Sequence, residues 1–368
     1  MDFYNLKKKL SEFSNRAPGS ERVEKLFDQL KKAFPAYESE TIGFRSPSNK
    51  GWPFGSLLLF TVAGLTLMER SPLLSVVLVV ISAILLLWEE NGYVIWSTLF
   101  SFTRCHDLVL KKGGETPHMV FVVNVDSRTE GLWDRFDPEG VGRTSWLNLS
   151  LLLASFITVL SYYFPVRFWV YVAVVLDVVL LLQFFDFIYQ GLLHHYYPGA
   201  LDNGSGILVL QSISDLVNVP HWIVFVDGGN AGGAGIVAFK KHYKLPKNVL
   251  YVALEKPGLG KVGVAQRHGL WSAVSLPKEV KAFLSKEANI TEFVDYSYRR
   301  SLAAYLNFRG CAAFSVVGQP TSKEESKLLL IDTVDCIKDE NIQEAGSILL
   351  RLVNMFERPS EQEQPKSE

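Results

Sequence analysis

Three short loops hold most of the side chains in this sequence that are equipped for chemistry. They are Asn124-Val125-Asp126-Ser127, Pro198-Gly199-Ala200-Leu201-Asp202-Asn203-Gly204-Ser205-Gly206, and Asp227-Gly228-Gly229-Asn230-Ala231-Gly232-Gly233-Ala234-Gly235. Carboxylates and amides set among small residues let the backbone approach a bound group closely, so the three loops read as the rim of one polar cleft. The glycine-dense third loop has no G-K-[ST], which argues against a phosphate loop. His106, His118, His221, His242 and His268 show no ligand spacing. Cys105, Cys311 and Cys336 are odd in number and far apart, so they form neither a disulfide framework nor a CxxC metal knuckle, and they fit a reducing compartment. Arg299-Arg300 reads either as a clamp for a carboxylate or phosphate or as a solvated helix face. With 37 basic against 38 acidic side chains there is no electrostatic case for nucleic acid.

The elements that must carry these loops alternate. His106 to Lys111 and His118 to Val125 read as strands, the second almost wholly apolar and therefore central. A helix from Gly204 to Val217, a strand Trp222 to Val226, a helix Gly235 to Tyr243 and a strand Val249 to Leu254 follow, with Ala312 to Val317 and a last helix Asn341 to Phe356 closing the domain. Near the start, Glu21 to Phe34 has a helical period and Ala36 to Phe44 alternates. Helix and strand in turn imply an α/β sandwich with a mixed, largely parallel sheet, whose site forms where loops leave the carboxyl ends of strands.

The chain has 368 residues, 48% of them hydrophobic, which excludes an intrinsically disordered protein. Its mean hydropathy of +0.14 is high for a soluble chain with 20% charged residues, so apolar mass is concentrated somewhere. Four stretches hold it: Trp52 to Met68, Ser71 to Trp88, Thr144 to Val166 and Phe168 to Phe185. Segments of about 17–25 apolar residues are long enough to span a bilayer, and the short joints at residues 69–72 and 165–167 make two helical hairpins. The competing reading is buried core helices of a soluble fold. Lys and Arg crowd the first 51 residues and the connector after the second stretch, whereas the hairpin tips hold only Arg70 and Arg167. The positive-inside rule then places the polar mass, with both termini, in the cytoplasm. Asp177 lies mid-span, where it reads as a polar contact with another helix or a partner, or as a protonated acid bonded within its hairpin. The expected organisation is a discontinuous α/β domain of residues 1–51, 91–143 and 188–356, hairpins at 52–90 and 144–187, and a disordered tail at 357–368.

At the three loops the sequence resembles the M28 family of zinc metallopeptidases. Arg16-Ala17-Pro18-Gly19-Ser20 looks like that family's opening R-x-P-G-S, and Pro198 to Gly206 looks like its P-G-A-x-D-N-x-S-G. Val249 to Glu255 is similar to the strand ending in a ligand, and Asp332-Thr333-Val334-Asp335 to the usual close. The resemblance implies a three-layer α/β sandwich with a co-catalytic two-zinc site. Placed residue by residue, it retains two ligands, Asp202 and Glu255, with Asp126 and Asn203 beside them. The two ligand histidines fall on Asn124 and Ala303, and the paired glutamates on Gly229, at the general-base position, and Asn230. Amides bind zinc far more weakly than imidazole or carboxylate, and glycine accepts no proton from water.

The resemblance thus implies the family's fold and argues against its reaction. The favoured expectation is a membrane-anchored pseudopeptidase acting as a binding or scaffold module at the cytoplasmic face, without a cofactor. Its partners are the lipid bilayer and a membrane protein or peptide. The alternative is a metal-dependent peptidase or amidohydrolase with a remodelled site, using zinc or another divalent cation. Asn124, Asp126, Asp202, Asn230 and Glu255 could hold Ca²⁺ or Mg²⁺, or persist as a hydrogen-bonded relic. His194-His195 could serve as replacement ligands, or sit as an interfacial pair beside Tyr196-Tyr197 where the last span leaves the membrane.

Overall fold

The computed structural model describes residues 3–90, 95–268, 274–276, 278–286, 288–296 and 301–357. Arg299-Arg300 and the tail from residue 358 lie outside the described residues. The chain opens with α1 (Phe3–Glu12), α2 (Glu21–Ala33) and β1 (Glu38–Ser46), then α3 (Gly51–Thr66), α4 (Pro72–Glu90), β2 (Thr103–Lys112) and β3 (Met119–Asn124). Two long helices follow, α5 (Val141–Tyr163) and α6 (Phe168–Leu193), and then α7 (Ser205–Ile213), β4 (His221–Val226), α8 (Ala234–His242) and β5 (Leu250–Glu255). The last part holds β6 (Lys261–His268), β7 (Val274–Ser275), α9 (Lys278–Lys286), β8 (Phe293–Tyr296), α10 (Leu302–Phe308), β9 (Ala312–Gln319), α11 (Lys323–Ile331) and α12 (Asp339–Glu357).

One mixed sheet runs β1-β2-β4-β3-β5-β9-β6-β7, with β8 paired to β6. The middle four strands, β4-β3-β5-β9, are mutually parallel, and antiparallel strands flank them on both sides. Successive side chains point to opposite faces, so each central strand buries two sets of apolar groups. Phe121, Val123, Ile223, Phe225, Val252 and Leu254 pack with α1, α2, α7 and α12. Val120, Val122, Trp222, Val224, Tyr251 and Ala253 pack with α8 and α10. The result is the expected three-layer sandwich. Because β3 lies between β4 and β5, the chain leaves β3 and returns on either side of it. The carboxyl ends of these three parallel strands therefore border the crevice where a site is expected.

The apolar mass forms a bundle in which α3 packs on α4 and α6, and α5 on α4 and α6. Leu57, Leu58, Val79, Leu86, Leu151, Ala154, Leu176 and Leu180 fill its interior. Val77, Ile81, Leu152, Phe156, Val174, Val175, Val178 and Phe185 face outward and are exposed. A glycine fits at position 51 because a Cβ there would stand 2.3 Å from the Phe187 carbonyl oxygen on α6.

Among the described residues, three helices are long and apolar enough to cross a bilayer: residues 72–89, 144–163 and 168–193. The expectation of four spans in two hairpins is thereby cut back: the second hairpin and the returning helix of the first have the length, and the first stretch does not. The first stretch, expected to span from Trp52 to Met68, becomes a helix that stops at Thr66, and Leu67 and Met68 join the turn that follows. Sixteen residues extend about 24 Å, short of the ~30 Å hydrocarbon layer.

Candidate functional site

The site is organised around buried carboxylates, each with at least one oxygen already engaged. Asp126, just beyond β3, is fully buried. Its Oδ1 accepts the Gly229 amide at 2.9 Å and its Oδ2 the Asn230 amide at 2.9 Å, tying the loop after β3 to the loop after β4. The Asp126 carbonyl accepts the side-chain amides of Asn203 and, at 2.7 Å, Asn230. Asn230 and Asn203 are therefore loop ties. Burial, followed by the charge of Asp227, pushes the Asp126 carboxyl well above the usual carboxylate range.

Asn124 and Gly229 face each other. A Cβ built on Gly229 would stand 1.7 Å from Asn124 Oδ1 and 2.5 Å from its Cγ. The amide of Asn124 therefore occupies the space in which any side chain at position 229 would begin. Its Oδ1 is buried with no hydrogen-bond partner among the described residues.

Asp202 and Glu255 are held separately. Asp202 lies in the turn before α7, with its Oδ1 3.5 Å from the Lys256 ammonium. Glu255, at the end of β5, accepts at Oε1 the Leu302 amide at 3.0 Å and the Ser315 hydroxyl at 3.1 Å. Burial raises the Glu255 carboxyl to about 7, against the opposing charge of Lys256. Ala303 is buried in the apolar layer between α10 and the sheet.

Two residues frame these loops from outside the family's ligand positions. Arg16 is fully buried, and its side chain donates to the carbonyls of Val125 (2.5 Å), Phe13 (2.9 Å), Pro198 (3.4 Å) and Gly199 (2.6 Å). Burial lowers this guanidinium to about 10, opposed by the charges of Asp332, Asp126 and Asp202. Asp332, in the left-handed cap of α11, accepts the amides of Gly199 at Oδ2 (2.9 Å) and of Leu201 (2.7 Å) and Asp202 (2.9 Å) at Oδ1. A second carboxylate layer lies behind. Asp107 Oδ1 accepts the Asp227 amide at 3.0 Å, and Asp227 accepts the Gly19 amide at 2.9 Å. Burial raises both carboxyls, that of Asp227 to about 6.

The sequence placed Arg16 in a motif without a role and did not single out Lys256, which has no spacing signal. His194 and His195 do not enter the site as replacement ligands. Both are exposed at the end of α6, with His194 Nδ1 3.3 Å from the Asn49 side-chain amide. Asp177 Oδ1 is buried in the bundle without a hydrogen-bond partner among the described residues, so the reading of an acid bonded within its hairpin finds no partner at that oxygen.

Zinc does not fit this arrangement. No group of three or more His, Cys, Asp or Glu side chains among the described residues could hold a metal ion. The hard-cation reading meets a related obstacle: both carboxylate oxygens of Asp126 accept amides, Asp202 Oδ1 faces the Lys256 ammonium, and Glu255 Oε1 accepts an amide and a hydroxyl. Beside Asp126 a narrow, tight cleft is lined by Ser48, Asn49, Thr129, Tyr196 and Asn230, among others. Tyr196 donates to the Ser48 carbonyl at 2.9 Å, so the cleft lies where β1 leads into α3 and α6 returns to the domain.

By sequence, no protein-family model and no curated protein matches the chain. Its similarity lies in three dimensions. A leucine aminopeptidase precursor from Bacteroides thetaiotaomicron superposes with a TM-score of 0.54 at 11% identity, over 95% of each chain. The chain shares its fold with aminopeptidases and glutaminyl cyclases. BSAP, a zinc aminopeptidase from Bacillus subtilis, gives 0.53 at 12% identity over 95% of this chain and 93% of that one. Porphyromonas gingivalis glutaminyl cyclase gives 0.53 at 10% identity over 96% of each. At such identities the likeness establishes the fold alone.

Proposed function

We propose that this chain is a membrane-anchored, peptidase-like binding or scaffold module that does not hydrolyse peptides. The observation that carries the reading is the Asn124–Gly229 pair. The position resembling the family's general base has no side chain, and the amide opposite fills the space one would need. The engagement of Asp126, Asp202 and Glu255 by the protein's own donors supports it.

The same reading inserts the bundle in a bilayer with the α/β domain on the cytoplasmic face. β1 and β2 are antiparallel neighbours with Ser46 opposite Thr103, so the chain between them leaves and returns at one place. Once α4 crosses, α3 and the turn after it must bring the chain to the far side. A short α3 is accommodated by the apolar turn residues and by local thinning of the bilayer. The outward apolar side chains of α4, α5 and α6 meet lipid, and Lys and Arg near the domain favour the cytoplasmic side. The cleft then opens beside the membrane and presents a peptide or membrane-protein partner there.

The likeness to zinc enzymes favours a second reading, a metal-dependent hydrolase with a remodelled site using Asp202 and Glu255. Purified full-length chain, supplied with zinc and assayed against aminoacyl substrates and peptides with N-terminal glutamine, separates the two. The module reading expects no turnover above the buffer rate. Zinc-dependent turnover abolished by Asp202→Ala would establish the enzyme.

A further inference from the structure

We infer that Lys256 is a built-in counter-cation, its ammonium seated on the Asp202 carboxylate where the peptidase fold would place metal. The inference deepens the proposed non-hydrolytic reading and rests on it.

The geometry behind it is local and unusual. Lys256 follows Glu255 at the end of β5, precedes Pro257, and has φ +55°. A residue before proline is restricted towards extended backbone, and a left-handed conformation is unfavourable for any side chain larger than glycine. Such a conformation persists only where the surroundings over-determine it. Here they do: the Lys256 amide donates to the Asp202 carbonyl at 3.2 Å, and its own carbonyl accepts the Leu259 amide at 2.9 Å. Backbone and side chain of Lys256 thus both meet Asp202.

The pair is also buried. Lys256 is 6% exposed and Asp202 8%, with 3.5 Å between Nζ and Oδ1. A lysine is rarely buried to this degree unless paired, because desolvating an ammonium is costly. Arg16, the other fully buried cation nearby, places its hydrogen bonds on carbonyls, which leaves the carboxylate of Asp202 to Lys256. A divalent ion brought to Asp202 would meet this ammonium at close range in a poorly solvated site, and like charges repel strongly there. Lys256 accordingly does two things: it neutralises Asp202, and it excludes metal.

The test is a double-mutant cycle on the detergent-solubilised full-length chain, read by thermal unfolding with and without zinc. Lys256→Met leaves a buried carboxylate without its cation and is expected to lower the Tm by roughly 5–10 °C. In the Lys256→Met, Asp202→Asn double variant several of those degrees should return, with the two losses clearly non-additive. Zinc should stabilise Lys256→Met, where Asp202 is released, and leave the wild type unmoved. Should Lys256→Met fail to fold while the double variant folds, the pairing is upheld. Additive losses, a double variant no more stable than Lys256→Met, or zinc stabilising the wild type as much as Lys256→Met would each overturn it. Additive losses without zinc binding overturn the pairing alone. Zinc-dependent peptide cleavage by the wild type would sink the proposed function as well.

Discussion

The amide of Asn124 lies where a side chain at position 229 would have to begin, so the two positions behave as one unit of packing. Gly229→Ala should cost about 1–3 kcal/mol through overpacking, and the loss should shrink in an Asn124→Ala background. Thermal denaturation of the three variants measures this; a Gly229→Ala chain as stable as the wild type would show that the amide yields freely. Arg16 poses a different problem. Its guanidinium joins the first motif to the loops after β3 and before α7 through four carbonyls, so Arg16→Met should cost roughly 3–5 kcal/mol by leaving buried acceptors unpaired. A loss under about 1 kcal/mol, in line with a surface substitution, would show that the motif is not a clamp. Asn124, Asp202, Asn230 and Glu255 draw attention in the sequence because the resemblance marks their positions. Lys256 does not, because nothing in its spacing distinguishes a buried lysine from a solvated one.

At the scale of elements, the strands bordering the crevice were legible because burial on both faces leaves a near-continuous apolar run, as in Met119–Asn124 and Leu250–Glu255. The far edge was not. β6 breaks register between Ala265 and Arg267, and β7 has only two residues, so no alternation runs long enough to read. The first apolar helix was misjudged for a related reason: composition counts Leu67 and Met68, while geometry assigns them to the turn. The turn between α2 and β1, where Tyr37 meets the sheet, supplies a pH test. His221, at the start of β4, is 2.8 Å from the Tyr37 hydroxyl and from the Val219 carbonyl oxygen. Burial lowers its pKa to about 4. The fold therefore holds the neutral ring, and unfolding releases a group that protonates near 6.5. Its stabilisation is complete above about pH 6.5 and is lost as the pH falls towards 4, roughly 3 kcal/mol over that window. Tm measured from pH 7.5 to 4.5 should fall more steeply for the wild type than for His221→Gln; parallel curves would contradict the assignment.

The whole molecule joins a sheet domain to an apolar bundle at the rim of its crevice, and the proposed orientation has a direct consequence. In intact cells a membrane-impermeant maleimide should label Val166→Cys at the α5–α6 tip, while Cys311 and Cys336 react only after permeabilisation. Labelling of the native cysteines from outside would reverse the topology. The central claim concerns charge: the carboxylates of a site resembling a two-metal centre are met by the protein's own amides, a hydroxyl and an ammonium. Elemental analysis of the full-length chain, equilibrated with excess zinc and then desalted, tests this most directly. The account predicts far less than one zinc per chain, unchanged by Asp202→Ala. One or two zinc ions per chain, lost in that variant, would contradict it.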